Sequence, residues 1–429
     1  MRWYSLLVAL LLFLLPSNLF LKFWEPTAYV HGLLSDYLLP RLYVSDIPIV
    51  MILFSWLWEK RRTGRTFILK YRVQFLITLS VIVIVGARQL FTPYPVAAIW
   101  YWLKILEMGS LGLFFATHRQ VIKKPLIGLV IGITLATQSL LGIYQFYNQT
   151  SLAPYSVLGE TVLKHQIGLA KGIFAGAELI LPYGTTSHPN VLGGVIVLFL
   201  WLWWQRKPAT KAVGWLGGWL ALCCLSLFVL WLTQSLSAWI TLASLVFISA
   251  VAKGDHFKKA LALLAVAAFL LTPLIIASVF PFMPNNPSVF RRYYLQTASL
   301  NMIIQKPLLG VGFNNFTGVL EENGEVPGVV RFVQPVHHSG LLVLSEWGIG
   351  GVTLLLGFVF LWMKPAQLKN KPEYWLAAVA LWPILSLDHY LLTGQTGLLL
   401  LTVWLVYGFE PLLGKTLNQS NNGRSKDRS

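Results

Sequence analysis

Long apolar runs recur along this chain from its first residues to about residue 412, and they constrain the fold more than any other feature. A helix needs ~20 mostly apolar residues to cross the hydrocarbon core of a bilayer. Composition agrees: 56% of the 429 residues are apolar, 18 are Trp, and only 11% are charged. The chain is therefore expected to be all-α and polytopic, a membrane protein whose soluble parts are loops.

Twelve spans are expected, near residues 3–21, 45–58, 69–87, 96–116, 125–147, 189–204, 212–232, 235–252, 259–280, 338–362, 374–391 and 395–412. The first begins after Arg2 and has no small-residue cleavage site behind it, so it reads as an uncleaved span rather than a signal peptide. The stretch before the second, "AYVHGLLSDYLLPRLYVSD", reads as an interfacial or re-entrant helix. Residues 1–412 then form one transmembrane domain, and 413–429, ending "NQSNNGRSKDRS", form a polar, disordered cytoplasmic tail.

The net charge of +17 invites a nucleic-acid reading, but the placement of the charge rejects it. Basic residues cluster between apolar runs, as in "EKRRTGR", "HRQVIKK" and "MKPAQLKNK", and no soluble module gathers them on one surface. With both termini in the cytoplasm, 23 of the 33 Lys and Arg fall on the cytoplasmic side, as the positive-inside rule asks. Trp and Tyr crowd the ends of the spans like an aromatic belt. Cys223 and Cys224 are neighbours within one run, with neither disulfide geometry nor metal-ligand spacing.

Two outer segments, 148–188 and 281–337, are too long for tight turns and rich in aromatics, which favours function over simple connection. In the second, Asn286-Pro287-Ser288 reads as a helix start with Ser288 as the cap, and an amphipathic helix runs on to Lys306-Pro307. Arg291 and Arg292 fall in its first turns, where cations oppose the helix dipole unless something negative binds. They suit either lipid headgroups or a phosphate or diphosphate, which guanidinium fits well. "LLGVGFNNF" breaks the nucleotide fingerprint at Asn315, so Gly310 and Gly312 read as a sharp turn.

Polar groups converge on the outer side of the other spans too. They are Arg88, His188-Pro189-Asn190, "TQSLSAW" and Asp388-His389. His337 and His338 sit at the mouth of span ten, where a neutral imidazole can act as a base. Glu346, nine residues after His337, lies about half a turn away around a helix. It is therefore expected to serve packing or a polar contact with another span. Lys104 and Glu107 read as a self-contained i, i+3 pair.

In this order, "TTSHPNVLGG", "TQSLSAW", "RRYYLQTASLNMIIQKPLLGVGFNNF", "PVHHSGLLVLSEWGIGG" and "DHYLLTGQTG" resemble the O-antigen ligase and polymerase superfamily of bacterial membrane glycosyltransferases. The resemblance spans about residues 184–397. It implies about twelve helices, a periplasmic loop over the site, and transfer of a glycan from undecaprenyl diphosphate to an acceptor hydroxyl. No metal and no cofactor are implied.

The family's histidine, with Glu nine and Gly eleven residues after it, selects His337, and His338 then stands where Asn is usual. Where the family often has Ser-Arg, this chain has Leu236, so Arg291, Arg292 or Arg88 would hold the diphosphate. His338, Asp388, Glu346, Asn190 and Asn315 are expected to contact the acceptor or support these groups, with Asp388 orienting His337 or holding the acceptor. The expected activity is that of an inverting, O-antigen ligase-like transferase in the cytoplasmic membrane, working at its outer face in surface polysaccharide biosynthesis. Alternatives are a polymerase of the same family or a non-catalytic flippase or exporter of lipid-linked glycans. The partners implied are the lipid-linked glycan donor, an acceptor of lipid, glycan or protein, and membrane lipids.

Overall fold

A computed structural model describes residues 2–152, 158–163, 168–206, 213–251, 255–324, 334–362 and 379–408. The elements are mostly helical. In chain order the first helices are α1 (Arg2–Leu14), α2 (Asp46–Lys70), α3 (Arg72–Gln89), α4 (Pro95–Thr117) and α5 (Pro125–Asn148). Then come α6 (Pro189–Trp204), α7 (Val213–Leu232), α8 (Leu236–Val251), α9 (Asp255–Val279) and α10 (Pro287–Gln305). The last are α11 (Leu320–Asn323), α12 (Ser339–Trp362), α13 (Trp382–Leu387), α14 (Tyr390–Thr393) and α15 (Gln395–Tyr407). Proline opens α4, α5, α6 and α10, where its missing N–H costs nothing and its fixed φ suits the first turn.

Among the described residues, five segments are long and apolar enough to cross a membrane: Arg72–Gln89, Pro95–Thr117, Pro125–Asn148, Ala260–Phe282 and Ser339–Gly357. Five shorter apolar helices accompany them. The chain is thus an all-α membrane protein, although this set does not by itself make twelve crossings. α6 is apolar all round and almost wholly buried, packed by α5, α7, α8 and α15, so it is the axis of the bundle. Apolar side chains such as Ile84, Leu263 and Leu274 point outward, as a lipid-facing surface requires.

Several local expectations change. The first run is helical only to Leu14, and Phe20–Lys22 (β1) is a strand. The expected re-entrant helix is instead three short strands, β2 (Tyr29–Val30), β3 (Leu33–Leu34) and β4 (Arg41–Tyr43). β1 pairs antiparallel with β4, and β2 with β3, because Gly32 at φ 80 and Pro40 favour turns over helix. The first of the two long segments, 148–188, carries the hairpin β5 (Lys171–Phe174) and β6 (Ala177–Ile180).

The cap of α10 is Asn286, not Ser288: its Oδ1 accepts the N–H groups of Ser288 and Val289 at 3.0 and 3.2 Å. Span ten is not one smooth helix. Gly348 has φ 65 and ψ 178, which breaks α12 there. Segment 307–312 lies in the break. Val311 and Gly312 donate to the carbonyls of Ser345 and Glu346 at 2.9 and 3.0 Å, while Ile349 and Gly350 donate to Pro307 and Leu308 at 2.8 and 2.9 Å. The groups freed by the kink are thereby satisfied. A Cβ on Gly348 would lie 2.5 Å from the Leu308 backbone, so contact and dihedral both demand glycine.

The span expected at 374–391 falls partly outside the described residues, and the rest is interrupted at Asp388 between α13 and α14. Nor is the Lys104–Glu107 pair self-contained. Lys104 Nζ reaches Asp46 on α2 at 2.5 Å as well as Glu107 at 2.9 Å. Gln395 also donates to Asp46, so the cluster ties α2, α4 and α15 together.

Candidate active site

Three helix beginnings and one helix break build the site. His188 caps α6, its Nδ1 accepting the Asn190 N–H at 3.1 Å, and Pro189 fixes the first turn. Asn190 Nδ2 then donates to Asp388 Oδ2 at 2.8 Å. Asp388 is extended (φ −152, ψ 165) in the break, and its Oδ1 accepts the His389 N–H at 2.8 Å. The Asp388 carbonyl accepts Ser339 Oγ at 3.2 Å, which ties the start of α12 to the same break.

His337, two residues before α12, is thereby brought beside His389, with ring centroids 5.1 Å apart at 71°. His389 Nδ1 is held by Thr393 Oγ1 at 2.8 Å. His337 Nδ1 is buried and has no hydrogen-bond partner among the described residues.

The arginines arrive on α10. Arg291 Nη1 donates to Gln334 Oε1 at 3.4 Å, and Arg292 Nη1 to Ser288 Oγ at 2.5 Å. Arg292 Nε is buried without a hydrogen-bond partner among the described residues. Both arginines line a cavity of about 450 Å³ together with His337, Asn190 and Asp388. His188 and His389, which the sequence offered only as neighbours of these groups, line it as well.

Burial sets the electrostatics. It pushes the His337 imidazole down to about 3, helped by His389 and the two arginines and opposed by Asp388, so the ring is neutral at neutral pH. His188 is lowered for the same reason, with Asp388 again opposing. Burial also lowers both arginines, Arg291 further through its neighbour Arg292, while Asp388 raises Arg292. A neutral base, two cations and a carboxylate with an amide donor therefore face one space. That set can take a proton and hold an anion.

Four other expected site residues stand outside the cavity lining. His338 is 3% exposed; its Nε2 bonds the Phe269 carbonyl at 2.9 Å and its Nδ1 accepts the Leu341 N–H at 3.2 Å, so it caps α12. Arg88 Nη2 donates to the carbonyls of Leu309 and Gly310 at 3.3 and 3.0 Å and steadies the turn after α10. Asn315 is spent on Tyr94, accepting its N–H at 2.7 Å. Glu346 contacts the segment between α1 and α2 and the segment after α10 rather than another span. It accepts from Tyr37 Oη at 2.8 Å and from the N–H groups of Asn314 and Phe316, both at 2.9 Å. Leu236, in the place the resemblance gives to an arginine, is 65% exposed and is not among the residues lining the cavity.

Residues 221–356 match the family model described as O-antigen ligase. The resemblance read from the residues therefore holds over this segment, which includes Arg291, Arg292, His337 and Glu346. The chain is also similar to the Rickettsia felis protein "Putative polysaccharide ligase", 28% identical over 164 residues. That alignment covers 35% of this chain and 40% of the relative's length. Asn190 and Asp388 lie outside the matched segment, and the fold alone brings them to it.

The lining also includes residues that the sequence did not single out for this site: Tyr37, Arg41 and Tyr43 before α2, and Trp100 and Tyr101 on α4. Their only signal was an aromatic-rich stretch, which the interfacial belt of any membrane protein shares.

Proposed function

We propose that this protein transfers a glycan from a polyprenyl diphosphate carrier to an acceptor hydroxyl at the outer face of the cytoplasmic membrane, in surface polysaccharide biosynthesis. Supporting this reading are the O-antigen ligase match and a cavity that gathers Arg291, Arg292 and His337. In the reading, the chain crosses the membrane twelve times with both ends in the cytoplasm, the orientation the basic residues favour.

The acceptor oxygen attacks the anomeric carbon as the bond to the diphosphate oxygen breaks on the opposite face, so configuration inverts. Its proton passes to His337, a positioned base of a kind worth ~10²–10⁴-fold in rate. Charge grows on the departing diphosphate, and Arg291 and Arg292 stabilise it there. An arriving diphosphate offsets the two guanidinium charges that depress His337, so donor binding makes the imidazole a better base. Asp388, held by Asn190, steadies the imidazolium as it forms.

The observation that carries this reading is a buried imidazole nitrogen with no hydrogen-bond partner among the described residues, in a cavity lined by two guanidinium groups. Purified wild-type protein with polyprenyl-diphosphate glycan and acceptor should turn over, and His337→Ala should lose at least a hundredfold in kcat while remaining folded. Full turnover by that variant would eliminate the base.

A further inference from the structure

The cavity has a wall that the transfer chemistry leaves unused. It is made by the segment between α1 and α2 and by the start of α4, which contribute Asp36, Tyr37, Arg41, Tyr43, Trp100 and Tyr101. Their rings are fixed at the edges. Tyr37 Oη is bonded to Glu346 at 2.8 Å, and Tyr101 Oη to the Leu392 carbonyl at 2.6 Å. Tyr43 packs on Phe20 with centroids 5.4 Å apart, and Trp100 on Phe23 at 5.9 Å. A phenol whose hydroxyl is already bonded has its ring to offer a ligand, and a fixed ring loses little entropy on binding.

Beside these rings, Arg41 pairs with Asp36; the arginine side chain is 14% exposed and the carboxylate 79%. An acidic group thus projects next to immobile aromatic faces. A pyranose ring has this dual character, with apolar C–H faces and a rim of hydroxyl groups. An isoprenoid chain has no use for the Asp36–Arg41 pair, and a phosphate has none for four rings. The wall lies across the same cavity lining as Arg291, Arg292 and His337, so a sugar joined to a diphosphate, or one presenting its hydroxyl, can reach both.

We propose that this aromatic wall is a saccharide subsite that takes one sugar ring of the donor or of the acceptor, an inference that rests on the glycan-transfer reading. The ring faces of Tyr43 and Trp100 supply the stacking, and the Asp36–Arg41 pair reads the hydroxyl pattern. The wall sets which glycan is used and plays no part in bond breaking.

The test varies donor and acceptor separately with full-length Tyr43→Ala, Trp100→Leu and Tyr43→Phe. Tyr43→Ala and Trp100→Leu should raise KM for one substrate at least tenfold with kcat within threefold, and Tyr43→Phe should recover most of the affinity. A rise confined to the donor assigns its sugar to the wall, and one confined to the acceptor assigns the acceptor's. Unchanged KM for both substrates in folded variants, or a fall in kcat alone, would overturn the proposal.

Calorimetry separates this inference from its parent reading. Either the lipid-linked glycan extracted from the producing cells or the acceptor should bind wild type at least tenfold more tightly than Tyr43→Ala, while undecaprenyl diphosphate without sugar should bind both alike. If wild type binds the glycan but transfers nothing, the transfer reading fails and the subsite stands. Equal binding of both the lipid-linked glycan and the acceptor by wild type and Tyr43→Ala would sink the subsite even if transfer is robust.

Discussion

Truncating Glu346 tests whether the cavity depends on a contact far from the bond being broken. Its carboxylate is 2% exposed and accepts three hydrogen bonds, from Tyr37 Oη and the N–H groups of Asn314 and Phe316. Tyr37 and Asn314 both line the cavity, so the carboxylate fixes part of its wall. Glu346→Ala strands three buried donors, and each costs ~1–3 kcal/mol when unsatisfied. Relaxation and water recover part of that, leaving roughly 3–5 kcal/mol, the usual cost of breaking a buried charged contact. Glu346→Gln keeps one acceptor oxygen but turns an amide N–H₂ toward a backbone N–H, a loss of ~1–3 kcal/mol. Tyr37→Phe removes a single bond and should cost ~0.5–1.5 kcal/mol. Reversible unfolding in mixed detergent micelles should therefore rank Tyr37→Phe mildest and Glu346→Ala most severe. The double variant should fall short of additivity by ~1 kcal/mol, because the two residues share a bond. A Glu346→Ala protein within ~0.5 kcal/mol of wild type, the range of an ordinary surface change, would refute the reasoning.

Arg291→Ala and Arg292→Ala should each lower transfer at least tenfold without loss of folded protein, and lysine at either place should rescue only partly because it lacks the planar fork; equal activity in the double alanine variant would remove the clamp. His338→Asn should keep transfer, since an Asn Oδ1 can still accept the Leu341 N–H, at a stability cost of ~1 kcal/mol from the lost Phe269 contact; loss of activity there with His337→Ala intact would show that the roles are reversed. The depressed imidazole also predicts the pH profile. The acid limb of kcat/KM, which reports the free enzyme, should lie well below the ordinary histidine value of ~6.5, and that of kcat should lie higher, because bound diphosphate raises His337. The sign for stability is the same: the unfolded chain binds the proton first, so stability is intact above pH ~6.5 and falls as pH drops from there toward the folded value. An acid limb of kcat/KM near ~6.5 would contradict this.

The sequence by itself determined the membrane class, the helical content and most helix starts, because lipid forces long apolar runs into helices and proline marks their first turns. It also offered His337 as a candidate, through the resemblance's spacing to Glu346 and Gly348, and the arginine pair, through its place in the first turns of α10. Only the tertiary structure decided which polar residues share a space. Asn190 meets Asp388 across 198 positions, and Tyr37 meets Glu346 across 309, separations that leave no periodicity to read. The break in α12 was equally hidden, since an apolar run containing Gly348 looks like any other until segment 307–312 occupies the gap. Short strands misled for the opposite reason: residues 28–46 are apolar enough to suggest an interfacial or re-entrant helix, and turns at Gly32 and Pro40 with cross-strand pairing decided otherwise. Hydrophobic burial depends on composition, which a sequence displays directly. Polar convergence depends on the path of the backbone between distant residues, and that path exists only once the helices have packed.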